Sequence, residues 1–317
     1  MAIQHMTQDE FRKNHKNHAF WNDVVKSLLE KENIEYHSFN RYPMGGNIVY
    51  QVDDQLVLKL FSPFDSREYF VETEVLEKTD WSKVSVEVPQ IINKGTFNGW
   101  HYLLMKRVPG ELLFDVWSKL SQDERIGVAS DLGKLIEQMH GLNISVYNDL
   151  DRSFDDWISG QKKNVQHHHE KTGLAPHLIN ELLDFVSSYK PSGKKVLLTG
   201  EYTPFNLMVN SVDGRWTLTG LIDFADCFIG EPLYDLLGPI LFNFYKEPGL
   251  TRAFIDAYGI QLTDPMRVHL MQLLLLHRFS HLPNYMEGEI EMNDVETLNA
   301  LSKKFFSYNR HINSYSD

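Results

Sequence analysis

Two short runs dense in β-branched, aromatic and leucine side chains, Ile48-Val49-Tyr50-Gln51-Val52 and Leu56-Val57-Leu58-Lys59-Leu60, flank a polar Asp53-Asp54-Gln55. That pattern predicts a β-hairpin within residues 41–60. Pro63, with Asp65 and Ser66 behind it, marks a break and a helix start, and residues 67–79 carry helical spacing. Beyond Pro89, Ile91-Ile92 and Trp100 to Met105 read as two more strands, turning at Asn98-Gly99. After Pro109-Gly110 the pattern becomes helical. Ser121 and Glu124 form a capping box ahead of Ile126, Ala129, Leu132, Leu135, Ile136 and Met139, and Gly141 stops the run. A second helix is predicted over 176–189. A further hairpin has arms 206–210 and 216–222 and turns at Asp213-Gly214; residues from 231 onward are helical by pattern. The opening residues read as helical. A β-rich part, residues 1–108, and a mainly helical part, residues 109–317, make an α+β, two-lobed chain.

The 317 residues leave room for one large domain or two packed lobes, and an apolar fraction of 42% is ample for a core. With 31 basic against 43 acidic residues the net charge is −12, so a duplex nucleic acid or an anionic membrane, which need a basic face, are not expected partners. Cys227 is the only cysteine; no internal disulfide or thiolate metal cage can form. The densest apolar run, Leu270 to Leu276, is broken by Gln272 and followed by His277 and Arg278, so no membrane span is expected. The first residues lack a signal peptide's apolar region, and a cytoplasmic protein is the expectation.

Candidate chemistry concentrates in residues 196–235. If Asp213-Gly214 is the turn, Asn206 faces roughly Leu221, and Asp223 lies two residues on, ~7 Å along the strand. Glu201 reaches the same open end from the preceding loop. Converging amide and carboxylate oxygens are hard ligands, suited to Mg²⁺ with phosphate oxygens rather than to zinc. Solvated turn residues would give the same letters.

Leu198-Thr199-Gly200-Glu201-Tyr202-Thr203-Pro204-Phe205-Asn206-Leu207-Met208-Val209 resembles the catalytic loop of the aminoglycoside phosphotransferase and choline-kinase-like family. Leu221-Ile222-Asp223-Phe224-Ala225-Asp226 and Gly230-Glu231-Pro232-Leu233-Tyr234-Asp235 resemble its following blocks. The resemblance spans roughly residues 40 to 280 and implies a two-lobed, protein-kinase-like fold with a nucleotide-binding first lobe. It places Glu201 as catalytic base, Asn206 and Asp223 as Mg²⁺ ligands and Asp235 as a brace for the loop. Thr199 and Glu201 stand where the family usually has His and Asp; its hygromycin-kinase-like branches also show Thr and Glu. A carboxylate one methylene longer can still orient a hydroxyl and accept its proton.

The remaining roles follow from the same resemblance. Phosphoryl transfer needs a lysine on the nucleotide phosphates. Lys59 stands in an apolar strand, and Glu72 lies on an inward helical face with Tyr69, Val75 and Leu76, where a carboxylate needs a partner. Lys59 with Glu72 is the expected pair, and Glu68 on the same face is the alternative. Glu74 points the other way. Met44-Gly45-Gly46-Asn47 lies where a phosphate-covering loop belongs, although any tight turn would use Gly-Gly. Tyr102 to Gly110 resembles the lobe connector, with the backbones of Lys106 and Val108 on adenine and Met105 packed behind it.

Other groupings read more plainly. His167-His168-His169 fits a solvated loop better than a metal site, and His15 and His18, one helical turn apart, fit a surface. His140 matches a family position and equally a helix end. Asp155-Asp156 and Glu287, Glu289, Glu291, Asp294 and Glu296 would attract a polyamine-like sugar or simply face water. Cys227 reads as a packed small residue.

The expectation is a phosphotransferase moving the γ-phosphoryl of ATP or GTP, with Mg²⁺, to a hydroxyl of a small molecule, an aminoglycoside-type antibiotic first. A kinase of another small metabolite, a protein-phosphorylating kinase, and a catalytically weak or inactive nucleotide-binding pseudokinase are the alternatives.

Overall fold

The computed structural model describes residues 3–148, 150, 153–244, 246–277, 280–288 and 290–307. Arg278 and Glu289 lie outside the described residues. The chain opens with helices α1 (Gln8–Asn14) and α2 (His18–Lys31), capped by Thr7 and Asn17. Strands β1 (Phe39–Arg41), β2 (Ile48–Val52) and β3 (Leu56–Phe61), helix α3 (Arg67–Lys78), and strands β4 (Gln90–Phe97) and β5 (Trp100–Lys106) follow. Among the described residues the five strands form one antiparallel sheet in the order β1-β2-β3-β5-β4. Its turns fall where the sequence places them: Asp53, Asn98 and Gly99 all have positive φ, and the Asp53 carboxylate accepts from His37 N and Ser38 N at 3.0 and 2.8 Å.

Alternation along β3 decides what the sheet covers. Leu58 and Leu60 pack with Tyr50, Trp100 and Tyr102 against Trp21, Val25, Leu28 and Leu29 of α2. Val57 and Phe61 face the other way, with Leu103 and Met105, toward α3 and the rest of the molecule. The opening residues, which carry none of the family resemblance, thus cover one whole face of the sheet. The Trp100 indole N–H donates to Ile3 O at 3.1 Å, closing that layer.

The chain continues through β6 (Glu111–Leu112), α4 (Leu113–Val116), α5 (Gln122–His140), α6 (Phe154–Lys171), α7 (Pro176–Ser187), β7 (Val196–Leu198), β8 (Leu207–Val212), β9 (Arg215–Leu221) and β10 (Phe228–Gly230). Helices α8 (Pro232–Gly238), α9 (Pro248–Tyr258), α10 (Asp264–Leu275), α11 (Leu282–Met286) and α12 (Leu298–Phe305) complete it, with a π-helical turn over Pro239–Asn243. A β-sheet N-terminal region and a helical C-terminal region are the α+β, kinase-like arrangement expected. Strand β8 lies between β6 and β9 in one small sheet, and β7 pairs β10 in another. The capping box of α5 is formed: Ser121 N and Oγ donate to the Glu124 carboxylate at 2.9 and 2.6 Å. Glu87, from the sheet region, bridges to β9: its N–H donates to Thr219 O at 2.8 Å and its carbonyl accepts from Leu221 N at 2.9 Å.

Two expectations are corrected. His167 to His169 lie on α6, not in a loop, because Phe154, Ile158, Val165 and His169 fall on one helical face and are all buried. His169 Nε2 meets Leu275 O at 2.9 Å and His168 Nε2 meets Ser280 O at 2.5 Å. Burial pushes the His169 imidazole down to about 4, so it stays neutral near pH 7. His15 is the residue just past the end of α1 and His18 opens α2, since Asn17 caps α2 between them, so the two do not share a helix. Among the described residues no helix is long and apolar enough to cross a membrane.

Helices α5 and α9 pack closely because Gly133 has no side chain: a Cβ there would press on Phe254 O, and would lie 2.9 Å from Tyr258 N. Gly133→Ala is expected to lower stability by about 1–3 kcal/mol. Gly160→Ala, in open space on α6, should raise it by at most about 1 kcal/mol. Denaturant midpoints of the two variants check this, and equal midpoints would contradict the close packing.

Candidate active site

Lys59 sits mid-strand in β3, between Val49 on β2 and Leu103 on β5. Its inward side chain is only 6% exposed, so the ammonium must be fully partnered. One partner is Glu72, a turn and a half into α3, with Nζ to Oε2 at 2.6 Å; the other is Asp223, with Nζ to Oδ1 at 2.8 Å. The second Glu72 oxygen accepts from Phe224 N at 3.5 Å. One buried ammonium therefore ties strand, helix and the segment after β9 together, across 164 residues of chain.

Asp223 reaches this place by leaving the strand in a left-handed conformation, φ +66. Aspartate tolerates that region better than most side chains, at a cost of order 1–3 kcal/mol. Burial works against its charged form, but Lys59 outweighs it and holds the carboxyl below its ordinary value. Burial likewise works against the Lys59 ammonium, and Asp223 and Glu72 together raise it above the usual lysine range. Glu72, wholly buried, is pushed up by desolvation despite Lys59.

Glu201 and Asn206 share the loop between β7 and β8. The Asn206 amide donates to Glu201 O at 3.1 Å, which fixes its rotation and turns its oxygen away from that carbonyl. Asn206 O accepts from Ile222 N at 3.0 Å, so the loop is bonded to the residue preceding Asp223. The expected register placed Asn206 opposite Leu221. It faces Ile222 instead, because a bulge between Met208 and Val209 shifts the ladder by one. Glu201 itself is half-buried.

The loop is gripped from behind by Asp235, whose two oxygens accept from Thr199 N at 3.1 Å and Gly200 N at 2.9 Å. His140 at the end of α5 lies 3.3 Å from the same carboxylate through Nε2 and 2.9 Å from the Tyr258 hydroxyl through Nδ1. Both residues are buried.

Glu68, the alternative partner for Lys59, is used elsewhere: its carboxylate accepts from the Asn47 amide at 2.6 Å, and burial raises its pKa. Gly45 has φ +104, and a side chain at Gly45 or Gly46 would meet nothing within 4 Å. The glycine loop is thus held at α3 on one side. On the other, His15 Nε2 lies 3.1 Å from Gly46 O, a contact without any signal in the sequence. Glu74 does point away from Glu72, but it too is buried, pairing with Lys78 at 2.7 Å and accepting from Asn148 N. On β5, Met105 is buried opposite Val57, two residues along β3 from Lys59, and Lys106 is exposed at the strand's end. Val108 is buried where the chain passes to β6 and β8, and Arg107 N donates to Gln55 O at 2.7 Å. Among the described residues no three His, Cys, Asp or Glu side chains are grouped to hold a metal. Cys227 is buried, as a packed residue.

Lys59→Met leaves Glu72 buried without its cation and is expected to cost about 3–5 kcal/mol. Lys59→Met with Glu72→Leu should recover a substantial part of that loss in a denaturation cycle; no recovery would mean the pair is not coupled. The depressed pKa of Asp223 gives stability that is present above its unfolded value of about 3.9 and lost as pH falls through the lower folded value. The stability gap between the wild type and Asp223→Asn should therefore narrow as pH is taken below about 4, read from melting temperatures.

Residues 45–269 match the model of the phosphotransferase enzyme family. Over 215 residues the chain is 23% identical to an aminoglycoside 3'-phosphotransferase of Streptomyces ribosidificus, covering 62% of this chain and 77% of that one. The GDP complex of wild-type aminoglycoside 2'-phosphotransferase-IIIa superposes with a TM-score of 0.65 at 18% identity, over 89% of this chain and 97% of that chain. A streptomycin–ATP ternary complex of APH(2")-IIa gives 0.60 at 19% identity, over 89% and 97%. Those two likenesses are of fold. With the family match spanning the glycine loop, the Lys59 cluster and the Glu201 loop, the chain belongs to the phosphotransferase enzyme family.

Proposed function

We propose that this phosphotransferase moves the γ-phosphoryl group of ATP, or GTP, to a hydroxyl of a small molecule. The observation that carries the reading is the Lys59 ammonium, 2.6 Å from Glu72 and 2.8 Å from Asp223. In it residues 1–108 bind the nucleotide, with Gly45, Gly46 and Asn47 over the phosphates, and Met105, Lys106 and Val108 beside the base. Residues 109–317 supply the catalytic loop and the acceptor's surroundings. The ligands in the complexes of the two fold relatives, ATP in one and GDP in the other, support a nucleotide co-substrate.

Lys59, steadied by Glu72, neutralises and aligns phosphate oxygens. The Asp223 carboxylate and the Asn206 amide oxygen are a hard donor pair that fits Mg²⁺, which when bound supplies charge neutralisation on the phosphates. Because the Asn206 side-chain nitrogen is held by Glu201 O and its backbone carbonyl by Ile222 N, the orientation of its amide oxygen is set independently of any ligand. Glu201 orients the acceptor hydroxyl and takes its proton as the oxygen bonds to γ-phosphorus and the nucleoside diphosphate leaves. Asp235, through Thr199 N and Gly200 N, keeps that loop in place.

An aminoglycoside-type antibiotic is the first acceptor to assay, on the strength of the relatives' substrates and the net charge of −12. A cytoplasmic setting, where ATP is at hand and Cys227 stays reduced, fits the reading.

Steady-state assays with Mg²⁺, ATP and an acceptor panel test it. Glu201→Ala should reduce kcat by about 10²–10⁴, and Asp223→Asn should remove the Mg²⁺ dependence along with turnover. Unchanged turnover in Glu201→Ala overturns the base assignment. Nucleotide binding without transfer to any acceptor would favour the inactive nucleotide-binding protein that Thr199 and Glu201 also allow.

A further inference from the structure

The loop proposed to cover the nucleotide phosphates is open on its own account. Gly45 has φ +104, a side chain at Gly45 or Gly46 would meet nothing within 4 Å, and Met44 is 63% exposed. Glycine's backbone freedom suits close approach to a ligand, but ordering such a segment at the moment of binding is costly. A contact that orders it beforehand removes that cost from the binding step. Side chains hold the loop from two sides. The Asn47 amide donates to Glu68 of α3 at 2.6 Å, and His15 Nε2 lies 3.1 Å from Gly46 O. A carbonyl oxygen only accepts, so Nε2 carries the hydrogen in the second contact.

His15 is itself held. It stands just past the end of α1, and the preceding carbonyl, Asn14 O, accepts from Asn17 N at 2.8 Å and from the Trp21 indole N–H at 3.0 Å. Trp21 is fully buried, so the turn that carries His15 is pinned to the core between α2 and the sheet. The imidazole stands edge-on to Phe11, with centroids 5.2 Å apart and planes at 80°. Phe11 packs in turn against Trp21 and Trp100, at 6.0 and 5.3 Å between centroids. The ring therefore meets Gly46 from a preset place. Gly46 leads directly into β2, where Val49 faces Lys59 on β3. The family match begins at residue 45, so this support comes from a part of the chain outside it.

We propose that His15 is a positioning residue for the nucleotide: its Nε2–H holds the Gly45-Gly46 turn in place before the phosphates arrive. The proposal rests on the phosphotransfer reading and adds a part to its nucleotide site. Its effect is confined to ligands that carry phosphates, because in that reading the loop covers the phosphates and not the base.

The full chain is titrated by calorimetry with a non-hydrolysable ATP analogue and Mg²⁺. Adenosine, measured by its displacement of that analogue, is the ligand without phosphates. His15→Ala should weaken the ATP analogue roughly threefold to tenfold and leave adenosine within about twofold. His15→Leu, which keeps an apolar side chain beside Phe11 but donates nothing, should match His15→Ala. His15→Gln, whose amide nitrogen donates from a similar reach, should restore the analogue's affinity. Adenosine binding on the same samples reports that each variant is folded. An ATP-analogue affinity unchanged in His15→Ala, an equal loss for adenosine, or rescue by Leu rather than by Gln would each overturn the positioning role. Failure of the wild type to bind the ATP analogue would instead sink the phosphotransfer reading beneath it.

Discussion

One buried ammonium organises this molecule. Lys59 could not remain charged at 5% exposure without compensation, and the two carboxylates that compensate it come from α3 and from the far end of the β8–β9 hairpin. Neither carboxylate is arbitrary. Glu72 is wholly enclosed and bonds Lys59 and the Phe224 amide, whereas Asp223 keeps a side chain 42% open to solvent. The asymmetry separates an enclosed pair from a carboxylate that faces solvent, which is the division of labour that the proposed function assigns to them.

The loop between β7 and β8 is hydrogen-bonded from behind. Asp235 accepts from two successive backbone amides, and His140 and Tyr258 extend the line into α5 and α9. The helices that Gly133 brings together are therefore the same ones that carry this support. Core packing, brace and the loop of Glu201 and Asn206 form one mechanical path, since a shift of α9 would move the Tyr258 hydroxyl off His140.

Much of this was legible in the letters, for a physical reason. Turns at Asp53, Asn98-Gly99 and Asp213-Gly214 announce themselves because few residues accept positive φ, and the capping box at Ser121 is a local pattern. The Lys59–Glu72 contact could be anticipated because a carboxylate on an apolar helical face needs a cation. What stayed hidden depended on contacts between distant segments. His15 meets Gly46 only because α1 folds over the sheet, and Glu68 turns to Asn47 rather than to Lys59. The histidines of α6 mislead by composition: His169 occupies an apolar position, bonded to a helix-end carbonyl that no local pattern reveals. The register of Asn206 was missed by one residue, since a bulge leaves no mark that distinguishes it from a longer strand.

The bridge at Glu87 bears on how firmly the sheet region is joined to the helical region. The chain passes from sheet to helices through the segment after Val108, and Glu87 grips β9 from both its amide and its carbonyl. That bridge adds to the covalent connection, to the Lys59–Asp223 contact and to Glu74, which accepts from Asn148 N, so the sheet is fastened to the rest of the chain at several separate points. Sliding of Glu87 along β9 by one residue would break both of its bonds at once, so the bridge fixes register as well as distance.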